Sequence, residues 1–210
     1  MRIDGQRTRA RIIDTAELLY AEKGIDNVTL LSINKAADQS NRNAAAYYFG
    51  NKQGLLEAVL NRHATAINER RLTLLAELER RAELRLEDVV SAIVVPLAAK
   101  LAEGPSGIAY IRINGQLMES PEFAALRTKL GIDLKNNKRL ARLFQRFVPH
   151  ASRQMRDFRS MLVESVMYHG LSAYASRHLR DTARDTAGQA KTLEKFVSEL
   201  VRAICAIVAR

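Results

Sequence analysis

The sequence predicts an all-α fold, and three observations support this. Only ten glycines and four prolines occur in 210 residues, whereas Ala, Leu, Arg and Glu, which favour helix, are plentiful. Apolar residues recur at spacings of three and four, and no segment alternates as a strand would. Hydrophobic residues make up 47% of the chain, enough for a substantial core. We expect about nine helices, in a small N-terminal domain over residues 1–50 and a larger helical domain over residues 51–210.

The first fifty residues predict three helices. Residues 8–23 have the apolar spacing of an amphipathic helix, and Gly24 follows as a stop signal. Thr29 can cap a second helix over residues 30–37, and a short Ala-rich segment over 43–48 predicts a third. Two short helices joined by a polar turn behind a supporting helix are typical of a helix-turn-helix.

The segment Asn41–Tyr48 is the candidate recognition helix of this motif. Its alanines would let the backbone come close to the major groove of DNA. Polar side chains cluster at its start, where arginine can bond to guanine edges and asparagine to adenine edges. These polar residues are Ser40, Asn41, Arg42 and Asn43.

The remaining residues predict further helices. Asn51 can cap a long fourth helix that becomes rich in Arg and Glu over residues 65–84, where we expect a solvated connection between two bodies. Pro96 lies inside a helical pattern and predicts a kink or an early helix end. The other helices are predicted near 86–102, 107–119, 121–147, 152–178 and 188–210.

A set of residues spread over about 8–60 forms a recognisable pattern: Thr8-Arg9, Ile12–Ala16, Tyr20–Gly24, Val28-Thr29, Ile33, Ala36-Ala37, Tyr47–Lys52 and Leu55-Leu56. This pattern resembles the tetracycline-repressor (TetR) family of transcription regulators. The segment between Ala37 and Phe49 is one residue longer than the commonest version, and Asp38 stands where the family usually has glycine. The extra residue leaves open which of residues 41–44 face base edges.

The resemblance implies a non-enzymatic, ligand-responsive repressor that binds a palindromic operator in double-stranded DNA as a homodimer and is released by a small effector. It also implies phosphate contacts from Thr29 and Lys52. Tyr47 and Tyr48 would add contacts through their hydroxyls, although both could be core aromatics, as we expect for Phe49. Arg7 and Arg9 could lie along the duplex from a flexible arm.

The last two predicted helices are candidates for the dimer interface. The final helix carries an apolar stripe too broad to leave exposed, and the preceding helix has small residues that permit close approach. The alternative is that both helices serve only the core of one subunit. The candidate interface residues are Phe158, Ser165, Ser172, Phe196, Leu200 and Ile204.

A pocket for a hydrophobic effector is expected in the C-terminal domain. Met and aromatic side chains line adaptable apolar pockets, although they fill cores more often. The candidate pocket residues are Ile111, Leu117, Met118, Phe144, Phe147, Met161 and Tyr168.

Composition limits the other functions. The net charge of +10 suits a polyanionic partner, but residues 1–63 contribute only +2 of it, so charge alone does not locate a DNA-binding domain. Cys205 is the only cysteine, and the four histidines lack metal-ligand spacing, so we expect no metal, no cofactor and a reducing cytoplasm. The longest apolar stretch is too short to span a membrane. No catalytic motif appears, but a helical enzyme or carrier and a protein-binding adaptor stay open as alternatives.

Overall fold

The computed structural model describes residues 3–130, 138–179 and 186–209, and all regular structure in these residues is helical. There are ten α-helices in these segments, with single turns of 3-10 helix at 99–102 and 121–123. The helices are α1 (Ile3–Lys23), α2 (Leu30–Ala36), α3 (Ala44–Phe49), α4 (Lys52–Glu79), α5 (Leu86–Ala98), α6 (Pro105–Glu119), α7 (Ala124–Lys129), α8 (Lys138–Gln145), α9 (Arg153–His178) and α10 (Thr186–Ala209).

The predicted helix signals around the motif are confirmed. Thr29 caps α2: its Oγ1 accepts a hydrogen bond from the Ser32 amide at 3.1 Å, and Ser32 Oγ accepts one from the Thr29 amide at 3.1 Å. Asn51 caps α4 by accepting from the Gly54 amide at 2.9 Å. Gly24 ends α1 in the left-handed region, with φ +90°. The helix-turn-helix is therefore bounded as its sequence requires.

Pro96 lies two residues before the end of α5, which passes into a 3-10 turn at Ala99. This confirms the predicted early end.

The predicted continuous helix over 121–147 is wrong. The chain instead forms a 3-10 turn, then α7 to Lys129, and α8 from Lys138. The side chain of Asn68 in α4 donates to the carbonyl of Leu130 at 2.8 Å, which satisfies a backbone group where α7 has ended.

The solvated connection predicted over 65–84 is also wrong. α4 ends at Glu79, and its last four turns have one buried face that carries Ile67, Arg71, Leu75 and Leu78. These positions are three or four residues apart, so they lie on one side of the helix, against α5 and α6. The charged residues between them occupy the opposite, exposed face.

The apolar residues of the first three helices and of the C-terminal helices belong to one continuous core. α6 is central to it, because it packs on α1, α4 and α9, while α10 packs on α5 and α9. Gly107 and Gly115 are buried in α6, where small residues allow close helix packing. Across the residues described, no helix is both long and apolar enough to cross a bilayer.

Candidate nucleic-acid interface

A buried asparagine holds the two helices of the motif together. Asn34 is 2% exposed on α2, and its Nδ2 donates to the Arg42 carbonyl at 2.6 Å. Its Oδ1 accepts from the Ala45 amide at 2.9 Å. One side chain thereby joins α2 to both the turn and α3. The orientation of α3 relative to α2 is thus fixed by hydrogen bonds on its buried side. The outer face of α3 takes no part in these bonds.

The turn between the helices is built by its own side chains. Asp38 has φ +50°, the left-handed conformation in which glycine is usual and aspartate is tolerated. Its carboxylate pairs with Arg11 of α1 at 2.8 Å. Asn41 Oδ1 accepts from the Asn43 amide at 2.9 Å, an Asx turn that leads into α3. The side-chain oxygen of Asn41 is therefore engaged in the turn. Ser40, Arg42 and Asn43 have exposed side chains.

The recognition helix begins three residues later than predicted, at Ala44 and not Asn41. Ala44 and Ala45 are buried against the body, whereas Ala46 is exposed. Only one of the three alanines is thus placed to let a duplex approach. The polar residues 40–43 precede the helix in the turn, where they form an exposed cluster.

The aromatic residues of α3 differ sharply in exposure. Tyr47 is 80% exposed, Tyr48 is half-buried, and their rings meet edge-on with centroids 5.1 Å apart. Phe49 packs against the core, as expected, and the guanidinium of Arg9 lies 5.0 Å from its ring centroid. Of the three aromatic rings, that of Tyr47 is thus the most accessible to another molecule.

Arg7 and Arg9 do not belong to a flexible arm, because α1 already begins at Ile3. This corrects the sequence-based expectation. Both side chains are exposed on the first turns of α1, and the contact with Phe49 ties Arg9 to α3. Their positive charge is therefore presented from a rigid helix.

Thr29 and Lys52 flank the motif at two helix starts. Thr29 is exposed at the N-terminal end of α2. Its hydroxyl oxygen accepts the capping bond, which does not use the hydroxyl hydrogen. Lys52 is the first residue of α4, and its Nζ donates to the Asp26 carbonyl at 3.3 Å. A Cβ on Gly54 would lie 2.1 Å from the Phe49 carbonyl oxygen, so this glycine allows α4 to start so close to α3.

Buried polar groups connect the first helix to the C-terminal domain. His63 Nε2 lies 2.8 Å from Glu17 Oε1, and both residues are buried. Ser106 of α6 donates to the other oxygen of Glu17 at 2.5 Å. Gln116 of α6 accepts from the Ile25 amide at 2.8 Å and donates to the Tyr20 carbonyl at 3.0 Å. α6 is therefore hydrogen-bonded to α1 at both ends.

The seven predicted pocket residues do not surround one described cavity. Ile111, Leu117 and Tyr168 are fully buried, but Met161 is 57% exposed on α9. Met118, Phe144 and Phe147 are half-buried, and Phe144 borders a small pocket of about 130 Å³. The larger cleft, about 900 Å³, lies between α1, α6 and α9, and none of the seven lines it.

The six predicted interface residues fall into three groups by exposure. Phe158 is 49% exposed on α9, beside the exposed apolar residues Met161 and Leu162. Ser165, Ser172 and Phe196 are half-buried, and Phe196 stacks on Tyr174 within the subunit. Leu200 and Ile204 are already buried within one chain, so they have no area left to cover in a dimer.

Sequence reasoning missed the buried polar residues Glu17, Asn34, Arg71 and Asn114. Each falls on the apolar face of its helix: Glu17 is four residues after Ile13, and Arg71 is four after Ile67. A polar residue at a core position was the available signal, because such a residue needs a partner.

Comparison with known proteins finds a family similarity in the N-terminal part of the chain. Residues 12–59 match the family model for bacterial regulatory proteins of the tetR family. Over these residues, which include the helix-turn-helix, the chain is similar to the tetR family. TetR-family proteins are transcription regulators with a helix-turn-helix DNA-binding domain, and are generally not enzymes.

Two solved structures share the fold over nearly the whole chain. One, from Rhodococcus sp., is named a putative TetR-family transcriptional regulator. It has a TM-score of 0.52 and 16% identity over 93% of this chain and 99% of that one. The other is NalD from Pseudomonas aeruginosa, the secondary repressor of the MexAB-OprM multidrug efflux pump, with a TM-score of 0.51 and 19% identity over 96% and 97% of the two chains. Among curated proteins, a sequence comparison finds no significant match.

Proposed function

We propose that this TetR-family regulator is a repressor that binds a palindromic operator as a homodimer and is released by a small, largely hydrophobic effector. The observation that carries the proposal is the exposed polar turn at 40–43, followed by the exposed ring of Tyr47. Asn34 fixes both to α2 from the buried side. Arginine and asparagine side chains that lead into a short exposed helix are of the type that reads base edges in the major groove.

The proposed contacts fall into two classes. Ser40, Arg42 and Asn43 would contact base edges, with Asn41 limited by its role in the turn. The phosphate backbone would be contacted by groups on both sides of the motif, which set the register of the protein on the duplex. These are Arg7, Arg9, Thr29, Tyr47, Tyr48 and Lys52.

The dimer would form through the outer face of α9. Its first half exposes Phe158, Met161 and Leu162, while Ser165 and Ser172 continue the helix with small side chains. Two α9 helices related by a two-fold axis can bury this face against each other. The two recognition helices would then meet successive major grooves, which lie about 34 Å apart.

Release by an effector requires that the C-terminal domain move the recognition helix. α6 provides the connection, because Ser106 and Gln116 bond directly to α1 and to the loop after it. An effector that shifts α6 would therefore shift the N-terminal helix-turn-helix relative to the two-fold axis of the dimer. DNA and effector must weaken each other by the same factor.

Selection of bound duplexes from a random pool tests this function. We expect an enriched inverted repeat, because a symmetric dimer presents two identical recognition helices. Enrichment of a single, asymmetric half-site would contradict the dimer. Failure to enrich any sequence in dilute salt would contradict DNA recognition altogether, as expected of an adaptor or a carrier.

A further inference from the structure

Among the described residues, the core of the C-terminal domain contains an arginine, Arg71, that forms no ion pair. Arg71 of α4 is 3% exposed, and among the described residues it makes one hydrogen bond, from Nη1 to Asn68 Oδ1 at 3.2 Å. Its Nε and Nη2 are buried and have no hydrogen-bond partner in the part of the chain that the structure describes. A guanidinium is charged at any physiological pH, and burying an unpaired charge costs several kcal/mol. Stability of the empty protein therefore gives no reason for an arginine here.

The two unpartnered nitrogens form a recognition edge. Nε–H and Nη2–H of a guanidinium point in the same direction and match the two oxygens of a carboxylate. The same chain shows this pairing on its surface, where Arg139 Nε and Nη2 donate to the two oxygens of Glu79 at 3.0 and 2.6 Å. Arg71 has the same edge free, whereas its third nitrogen is held by Asn68.

Polar groups of α6 adjoin Arg71. Tyr110 is 2% exposed, and burial raises its pKa to about 12, although the charge of Arg71 and a hydrogen bond from Asn114 act to lower it. Asn114 is fully buried: its Nδ2 donates to the Tyr110 carbonyl at 2.8 Å, while its Oδ1 has no partner within residues 3–130, 138–179 and 186–209. A free acceptor and a free cationic fork thus lie around one tyrosine.

We propose that this site binds a small organic carboxylate whose two oxygens accept from Nε and Nη2 of Arg71 and whose hydroxyl or N–H group donates to Asn114 Oδ1. The rest of the ligand is apolar, because Ile67 and Leu75 flank Arg71 on the buried face of α4. The proposal deepens the proposed function by giving the effector's chemical class, and it rests on that function only for the effect on DNA. Asn114 lies on α6, the same helix whose Gln116 bonds to Ile25 and Tyr20 of the N-terminal domain. A ligand bound at Asn114 would therefore contact the helix that is joined to that domain.

The first test uses the protein without ligand. Arg71→Met replaces the buried charge by an apolar chain of similar length, so we expect a higher melting temperature than that of the wild type. Arg70→Met, at the exposed neighbouring position, is the matched control and leaves the melting temperature unchanged. A clear loss of stability in Arg71→Met alone would overturn the proposal, because the arginine would then be a structural support.

The second test measures binding by calorimetry, with salicylate and benzoate as the probes and benzamide as the uncharged analogue. We expect both carboxylates to bind the wild type, salicylate more tightly through its hydroxyl, and benzamide not to bind. Arg71→Met and Arg71→Lys should lose affinity about tenfold to a hundredfold, since lysine keeps the charge without the fork. Equal binding to Arg71→Met, equal binding of benzamide, or no binding of either carboxylate would overturn the proposal.

The two proposals fail separately. Wild-type protein that selects a duplex but binds neither carboxylate disproves the carboxylate site and leaves the regulator intact. Protein that binds the carboxylates through Arg71 but no duplex disproves the regulator and leaves the site.

Discussion

Asn34 shows how one side chain can set the geometry of the surface that we propose to bind DNA. It satisfies the Arg42 carbonyl and the Ala45 amide at once, from a buried position. Neither group has a helical partner in its place, because α3 starts only at Ala44. The position of the polar turn relative to α2 therefore depends on this residue.

We predict that Asn34→Leu lowers the free energy of unfolding by about 1–3 kcal/mol for each backbone group left unsatisfied. Hydrogen exchange should show lost protection at the Ala45 amide, and melting curves should give the loss of stability. Asn61→Leu, at an exposed asparagine of α4, is the control and should match the wild type. Unchanged protection at Ala45 in Asn34→Leu would show that the turn is held by other contacts.

Arg42 and Lys52 should have separable roles on DNA. Arg42 is exposed in the turn, so Arg42→Ala should lose about 1–3 kcal/mol at one base position and relax the preference there. Lys52 lies at the start of α4, so Lys52→Ala should weaken binding to every sequence alike and reduce the salt slope by about one. Titrations against the selected duplex and its single-base variants measure both. Identical profiles for the two variants would contradict the assignment.

The caps and the left-handed turn were predictable from sequence because their signals are local. Thr29, Asn51 and Gly24 each act on a backbone group within a few residues. The partners of Glu17 and Asn114 were not predictable, since they depend on which helices come together. The same limit explains the missed buried face of α4, where charges at neighbouring positions masked a regular apolar spacing.

Among the helices, α6 has the role that sequence periodicity could not reveal. It packs on α1, α4 and α9, and its two polar ends are bonded to the N-terminal domain. Periodicity assigns a buried face to a helix but does not say which elements that face contacts. The pocket prediction failed to define one cavity for the same reason.

We predict that Gln116→Leu uncouples the N-terminal domain from the C-terminal domain. The variant leaves the Ile25 amide, in a 3% exposed residue, without its acceptor, which costs about 1–3 kcal/mol. Hydrogen exchange at the Ile25 amide should accelerate. The calorimetric transition should broaden, because the N-terminal domain should unfold before the rest of the protein. Gln145→Leu, an exposed glutamine of α8, is the matched control. A single sharp transition like that of the wild type would exclude this role for Gln116.

The outer face of α9 can be tested independently of DNA. Phe158→Asp places a charge in the centre of the proposed interface on both subunits, so the dimer should weaken by about a hundredfold or more. Sedimentation equilibrium measures this dissociation constant. Leu72→Asp is the control, because Leu72 is similarly exposed, at 44%, but lies on α4. A wild type that is monomeric at micromolar concentration, or a Phe158→Asp dimer of unchanged affinity, would contradict the interface.

At the scale of the whole molecule, charge is not concentrated on the DNA-binding domain. The net charge of +10 lies mostly outside the first 63 residues. Under the proposed function, specific recognition would come from a few placed groups around residues 40–52, with a modest contribution from the long-range field. The long α4 and the central α6 join these groups to the body as parts of one core.

The most direct test titrates the purified protein, over a range of salt concentrations, against its selected duplex and a shuffled duplex of the same composition. The account predicts that log affinity falls linearly with log salt for both, and that the selected duplex binds about a thousandfold more tightly near physiological salt. Equal affinity for the two duplexes at every salt concentration, or no binding to either in dilute salt, would contradict it.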